Sequence, residues 1–130
     1  MAKKLQRPET WKQGPEEHDF PAAAEYLSLV MPEAAAAPIV TQLQQADTVH
    51  RKAKDLLRAS ELALLPATNP HVAKDLKRVA KGEQLSPVLL VRGHAKSGLP
   101  LIVADGYHRI CASYHLDENT DIPCRIADLR

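Results

Sequence analysis

Residues 101–110, LIVADGYHRI, constrain the fold of this chain more than any other stretch. An apolar run, Leu101-Ile102-Val103-Ala104, stops at Asp105-Gly106. Tyr107-His108-Arg109 then opens a segment of helical character, Ile110-Cys111-Ala112-Ser113-Tyr114-His115. The apolar run has the length and branching of a buried strand, and glycine permits the tight turn after it. A strand that passes through a glycine turn into a helix leaves backbone N–H groups unpaired at the positive end of the helix dipole. Such an end attracts an anion, usually phosphate. Here the turn also carries an acid, an imidazole and a guanidinium. A turn that serves only the fold rarely needs all three, so a site is expected at it.

The rest of the chain supplies elements around this turn. Residues 1–19 hold Pro8, Gly14, Pro15 and mixed charges around a single Trp, and read as a mobile or loosely docked arm anchored by Trp11 and Phe20. Pro21 starts a short helix that ends before Pro32. Ile39, Val40, Leu43, Ala46, Val49, Ala53, Leu56 and Leu57 fall mostly at spacings of three and four. That periodicity predicts one long amphipathic helix over 39–59, starting after Pro38. Leu62-Ala63-Leu64-Leu65 before Pro66 reads as a short strand or extended segment. Asn69-Pro70 supplies an N-cap and a first-turn proline for a helix that Gly82 closes. Residues 87–91 and 99–104 predict a hairpin, and residues 122–126 a last strand in which Pro123 suggests an edge or an opening position. The predicted class is α+β, a helical N-terminal half packed on a small mixed sheet. One domain spans 20–130, with a helical extension (20–59) and a core (60–130).

Composition narrows the function. With 45% apolar but only 4% aromatic residues among 130, the core is built from Ala, Leu, Val and Ile. No apolar run approaches the roughly 20 residues that cross a bilayer, and no apolar stretch follows the first lysines as in a signal peptide, so no membrane partner is expected. Cys111 and Cys124 are too few for a disulfide scaffold and fit a reduced, cytoplasmic setting. A net charge of +1 gives no general prior for nucleic acid, yet residues 51–81 hold eight Lys and Arg against three acids. Within that stretch Lys54 or Arg58 either leans over the anion site or belongs to a solvated helix face.

The order of pieces resembles the ParB/sulfiredoxin superfamily: a basic helix ending at Gly82, then SPVLLVRG, LIVADGYHRICASYHL, a polar loop and IPCRIAD. The resemblance covers residues 60–128. It implies a ParB N-terminal-domain-like fold that binds a nucleotide with its phosphates at the turn. Sulfiredoxins carry Gly-Cys-His-Arg there, with a nucleophilic cysteine. Here Gly106-Tyr107-His108-Arg109 puts Tyr in that place, and neither Cys111 nor Cys124 replaces it, so sulfiredoxin activity is not expected. Partition proteins of the ParB type carry a Gly-Glu-Arg-Arg kind of turn followed by a helix-turn-helix. Tyr107-His108 depart from it and the sequence stops at Arg130, so a complete ParB is not expected either. Free-serine kinases of the superfamily keep an Asp-Gly-His-His-Arg-like turn, to which Asp105, Gly106, His108 and Arg109 are similar.

Each residue of the turn has a functional and a purely structural reading. Arg109 offers a phosphate fork or an ion pair with Asp105. His108 offers a phosphate contact and proton carrier, or a helix cap. Asp105 could contact a magnesium-bound nucleotide, act as general base, or simply make the turn. Tyr107 stacks on a base or packs, and Gly106 serves either role of the turn. The resemblance implies phosphate contacts from Lys74 and Lys77 on the preceding helix. No CxxC or HxxxH cluster exists, and no metal site is expected. The expected cofactor is a nucleotide, with Mg2+ as its companion, and the catalytic candidates are Asp105 and His108. Three functions follow: binding of a nucleotide or phosphorylated ligand, with phosphoryl transfer or hydrolysis; nucleic-acid binding through the basic 51–81 surface; or protein interaction without catalysis through the N-terminal helices.

Overall fold

A computed structural model describes residues 10–129. Helices α1 (Asp19–Val30) and α2 (Glu33–Gln45) lead into β1 (Val49–Lys52), α3 (Ala53–Ser60) and α4 (Pro70–Ala80). Then come β2 (Val88–Val91), β3 (Ile102–Asp105), α5 (Tyr107–Leu116) and β4 (Asp121–Ala127). The strands form one mixed sheet of order β1-β4-β2-β3. β4 runs antiparallel to β1 and parallel to β2, while β2 and β3 form the expected antiparallel hairpin. The fold is α+β with a helical N-terminal half.

Helices cover both faces of the sheet. Side chains alternate along a strand, so Val88 and Leu90 of β2 enter one apolar cluster and Leu89 and Val91 the other. The first cluster joins the sheet to α3, α4 and α5 through Leu56, Val72 and Ile110. The second joins it to α1 and α2 through Leu27, Ile39 and Leu43. Being covered on both sides, β2 is buried at all four positions and reads in sequence as an unbroken apolar run. Each of these fully buried aliphatic side chains contributes roughly 1.5–3 kcal/mol relative to exposure.

The long helix expected over 39–59 is three elements. Ile39 and Leu43 bury in the cluster under α1 and α2, whereas Ala53, Leu56 and Leu57 bury in the cluster on the opposite face. One straight helix cannot serve both faces, so the chain turns extended after Gln45, crosses the sheet edge as β1, and re-enters helix at Ala53. Pro38 lies inside α2 rather than ahead of it. The carbonyl deprived of a partner belongs to Ala34, an exposed residue that water can reach. Residues 62–65 belong to no strand. Pro123 is not on an edge, because β4 lies between β1 and β2. It sits in the opening of β4, one residue ahead of the β2 ladder that begins at Cys124. Trp11 is buried against the first cluster and bridges Leu85, with Lys12 N–H donating to the Leu85 carbonyl at 2.8 Å. Phe20 packs at the margin of the second cluster. The first nine residues of the expected arm lie outside the described residues.

Candidate functional site

Gly106 carries the turn from β3 into α5 with φ +107°, and a Cβ there would lie 2.5 Å from Val88 Cγ1. Both the backbone angle and the close approach to β2 call for glycine. The amide of Ile110 makes the first helical bond of α5, to the Gly106 carbonyl at 3.0 Å, and no side chain caps the helix. Helical geometry therefore leaves the N–H groups of the first turn, Tyr107 to Arg109, without intrahelical acceptors.

Helix α4 packs against α5 and brings its own side chains to this end. Asn69 is the N-cap of α4, as expected, its Oδ1 accepting from the amides of His71 (2.9 Å) and Val72 (3.2 Å). The fixed first turn places the His71 ring 4.6 Å from that of His108. His71, Lys74, Asp75 and Arg78, at spacings of three and four, line one side of a cleft of about 220 Å³, and residues 105–109 line the other. A larger groove of about 780 Å³ shares Asp75, Arg78, Asp105 and Arg109 with it and continues past Lys12, Glu16 and Asp19.

Of the two lysines expected at the site, Lys74 lines the cleft. Lys77 points elsewhere on α4 and is exposed. Arg58 pairs with Asp55 at 3.4 Å and borders a different cleft, and Lys54 borders neither part of this site. His71 and Arg78 were not singled out in the sequence. Their spacing from Lys74 on a helix capped by Asn69 is the signal that could have found them.

Arg109 makes the ion pair with Asp105, Nη2 donating to Oδ2 at 2.7 Å. Its Nη1 donates to the carbonyls of Ser86 (2.6 Å) and Pro87 (3.2 Å). The guanidinium thus braces the turn against the start of β2. Asp19, the first residue of α1, lies close enough for its carboxyl to act on that of Asp105. Asp19 is buried, and its Oδ2 accepts from the Glu16 amide at 2.9 Å. Burial pushes the Asp105 carboxyl above the ordinary carboxylate range, the Arg109 charge opposes this, and Asp19 adds to it. Burial likewise raises Asp75, against the opposing charges of Arg109 and Arg78.

Burial pushes the His108 imidazole below its ordinary range, and the neighbouring His71 adds to this while Asp75 opposes it. Neutral His108 offers one ring nitrogen as donor and the other as acceptor. Tyr107 is committed to the fold: its hydroxyl donates to the Ala63 carbonyl. The Cys111 thiol meets the backbone of Leu65, and His115 Nε2 lies 2.7 Å from the Leu65 carbonyl. These three side chains form one stripe of α5 that straps down residues 62–65. Both thiols are buried, and burial pushes Cys124 up to about 11 and Cys111 upward, so neither is a ready nucleophile. Among the described residues no three His, Cys, Asp or Glu side chains converge as metal ligands, and no helix is long and apolar enough to cross a membrane.

The chain matches no protein-family model, no curated protein and no solved structure.

Proposed function

We propose that this protein binds a nucleotide or another phosphorylated small molecule in the cleft between α4 and α5, with an anionic oxygen group at the start of α5. One observation carries this reading: His71, Lys74 and Arg78 of α4 converge with the uncapped first turn of α5 on a single cleft. A phosphate there would accept from helical N–H groups, meet the point charge of Lys74, and receive paired donors from Arg78. The adjoining groove takes the body of the ligand, and the combined space is within the range of small-molecule sites. Phosphoryl transfer or hydrolysis would use Asp105 or His108, two of the groups bordering the cleft that can exchange a proton. Magnesium enters only with the nucleotide, since Mg2+ is commonly held by one or two carboxylates together with substrate phosphates.

The nucleic-acid reading has less support. Within the basic stretch Lys52 and Arg58 are each within ion-pair distance of an aspartate, and Arg51 and Arg58 border a different cleft from Lys74 and Arg78. The interaction-domain reading rests on the exposed Tyr26, Leu29 and Val30 of α1.

The test is a thermal-shift panel of nucleoside mono-, di- and triphosphates with magnesium, alongside pyrophosphate, on the wild type and on Lys74→Ala and His108→Ala. A ligand at a hundred times its dissociation constant should stabilise the protein by about 2.7 kcal/mol, a shift of several degrees. Either variant should lose most of that shift. No shift with any phosphate compound, or equal shifts in all three proteins, would overturn the proposal.

A further inference from the structure

A second cleft, of about 660 Å³, lies between α3 and the loop that joins β2 to β3. It shares no residue with the α4–α5 site. Its wall is preformed. His94 and Leu99 exchange backbone hydrogen bonds at 2.9 and 3.0 Å, and His94 Nδ1 lies 2.8 Å from Ser97 Oγ. At Gly93 the loop closes so tightly that a Cβ would lie 2.4 Å from the Leu99 carbonyl oxygen. The Leu101 amide donates to the Ala59 carbonyl at 3.0 Å, which ties the loop to the last turn of α3.

The lining combines an apolar floor with a basic rim. Leu56, Leu90, Leu101 and Ile126 form the floor, and Leu99, held in the rigid loop, stays 47% exposed over it. Three arginines stand around the rim, and two are already matched: Arg58 by Asp55 at 3.4 Å and Arg92 by Asp128 at 2.9 Å. Arg51 donates to the His50 carbonyl at 3.1 Å and makes no ion pair among the described residues. A guanidinium without an ion pair beside an apolar cleft complements a ligand with an apolar body and a single acid group that it can hold directly. Asp55 and Glu61 on the same rim disfavour a more highly charged one.

We infer that this cleft binds a small apolar monocarboxylate, its chain over Leu99, Leu101 and Ile126 and its carboxylate on Arg51. A guanidinium holds a carboxylate in a paired geometry that a neutral amide cannot reproduce.

The experiment is a titration of the full chain with octanoate and with octanamide, followed by amide NMR. Octanoate should move the amides of residues 90–101 and of Ile126 saturably, and octanamide should bind about tenfold more weakly or worse. Arg51→Gln should lower octanoate affinity by the same factor and leave octanamide unchanged. Leu99→Asp, at an exposed side chain, should abolish octanoate binding with no change in melting temperature. Unmoved amides in the wild type would overturn the assignment. So would equal affinity for acid and amide, or normal octanoate binding by Leu99→Asp. None of these outcomes depends on phosphate binding at the α4–α5 cleft.

Discussion

Replacing Arg109 with alanine should destabilise the fold more than it weakens any ligand contact. The guanidinium makes three hydrogen bonds, to Asp105 and to the carbonyls of Ser86 and Pro87. Hydrogen bonds to a charged group contribute about 1.5–3 kcal/mol each, and removing one partner of a buried ion pair costs about 3–5 kcal/mol in total. Here the side chains of Arg109 and Asp105 are 14% and 19% exposed, so water recovers part of the loss. The low end, about 3 kcal/mol, is the expected cost. For a chain of 130 residues the unfolding entropy is about 0.27 kcal/mol per degree, and the melting temperature should fall by about 10 °C. Urea and thermal denaturation followed by circular dichroism at pH 7 measure both.

The neighbouring variant sharpens the test. Asp105→Asn keeps an oxygen acceptor for Arg109 and removes a charge that burial and Asp19 both resist. It should cost under about 1 kcal/mol. In the double variant the Arg109→Ala penalty should shrink by about 1–2 kcal/mol, because no bare carboxylate is left behind. An Arg109→Ala protein within about 0.5 kcal/mol of wild type would refute the bracing role, and a simultaneous loss of phosphate affinity would make Arg109 a ligand fork instead.

Further outcomes follow from the same geometry. Gly106→Ala combines a positive φ with a clash against Val88 and should cost about 3 kcal/mol or more, whereas Gly82→Ala, at φ +83° with nothing within 4 Å, should cost about 1–2 kcal/mol; equal costs in urea would contradict the account of the turn. Asn69→Ala removes the acceptor of two amides and should cost about 1 kcal/mol by the same measurement. His108, whose imidazole is pushed below its ordinary 6.5, subtracts stability as pH falls beneath that value, because the unfolded chain takes up the proton first; His108→Gln should flatten that limb of the stability profile. Asp75 and Asp105, raised from 3.8, act oppositely: their contribution is present at low pH and lost as pH rises through their raised values. A bound dianion favours charged His108, so sulfate affinity measured by calorimetry should rise toward acid pH in the wild type and rise less steeply in His108→Gln.

Local signals in the sequence were enough for those elements whose stability is local. Asn69-Pro70 and Gly82 bracket α4, two short runs of branched apolar residues mark the hairpin, and Asp105-Gly106 marks the turn into α5. The long helix over 39–59 failed for a different reason. Its apolar spacing continues unbroken across two segments that bury on opposite faces of the sheet, and periodicity does not say which face a residue meets. Only the extended pairing of Val49 with Cys124, far along the chain, divides them.

The site shows the same division. An Asp and an Arg four residues apart across a glycine turn are compatible with a shared phosphate or with one another. The choice depends on Ser86 and Pro87, whose carbonyls reach Arg109 only because β2 starts beneath the turn. Asp19 could not be recognised at all, since an acid in the first turn of a helix is ordinary and its meeting with Asp105 depends on α1 docking beside β3. Once the acid and the guanidinium satisfy each other, the turn supplies an anion with little beyond helical N–H groups and His108. The remaining cationic groups come from α4. The proposed anion site is therefore a property of the α4–α5 pair, with the Asn69 cap fixing the first turn of α4 and the Tyr107–Cys111–His115 stripe tying α5 to the segment ahead of it.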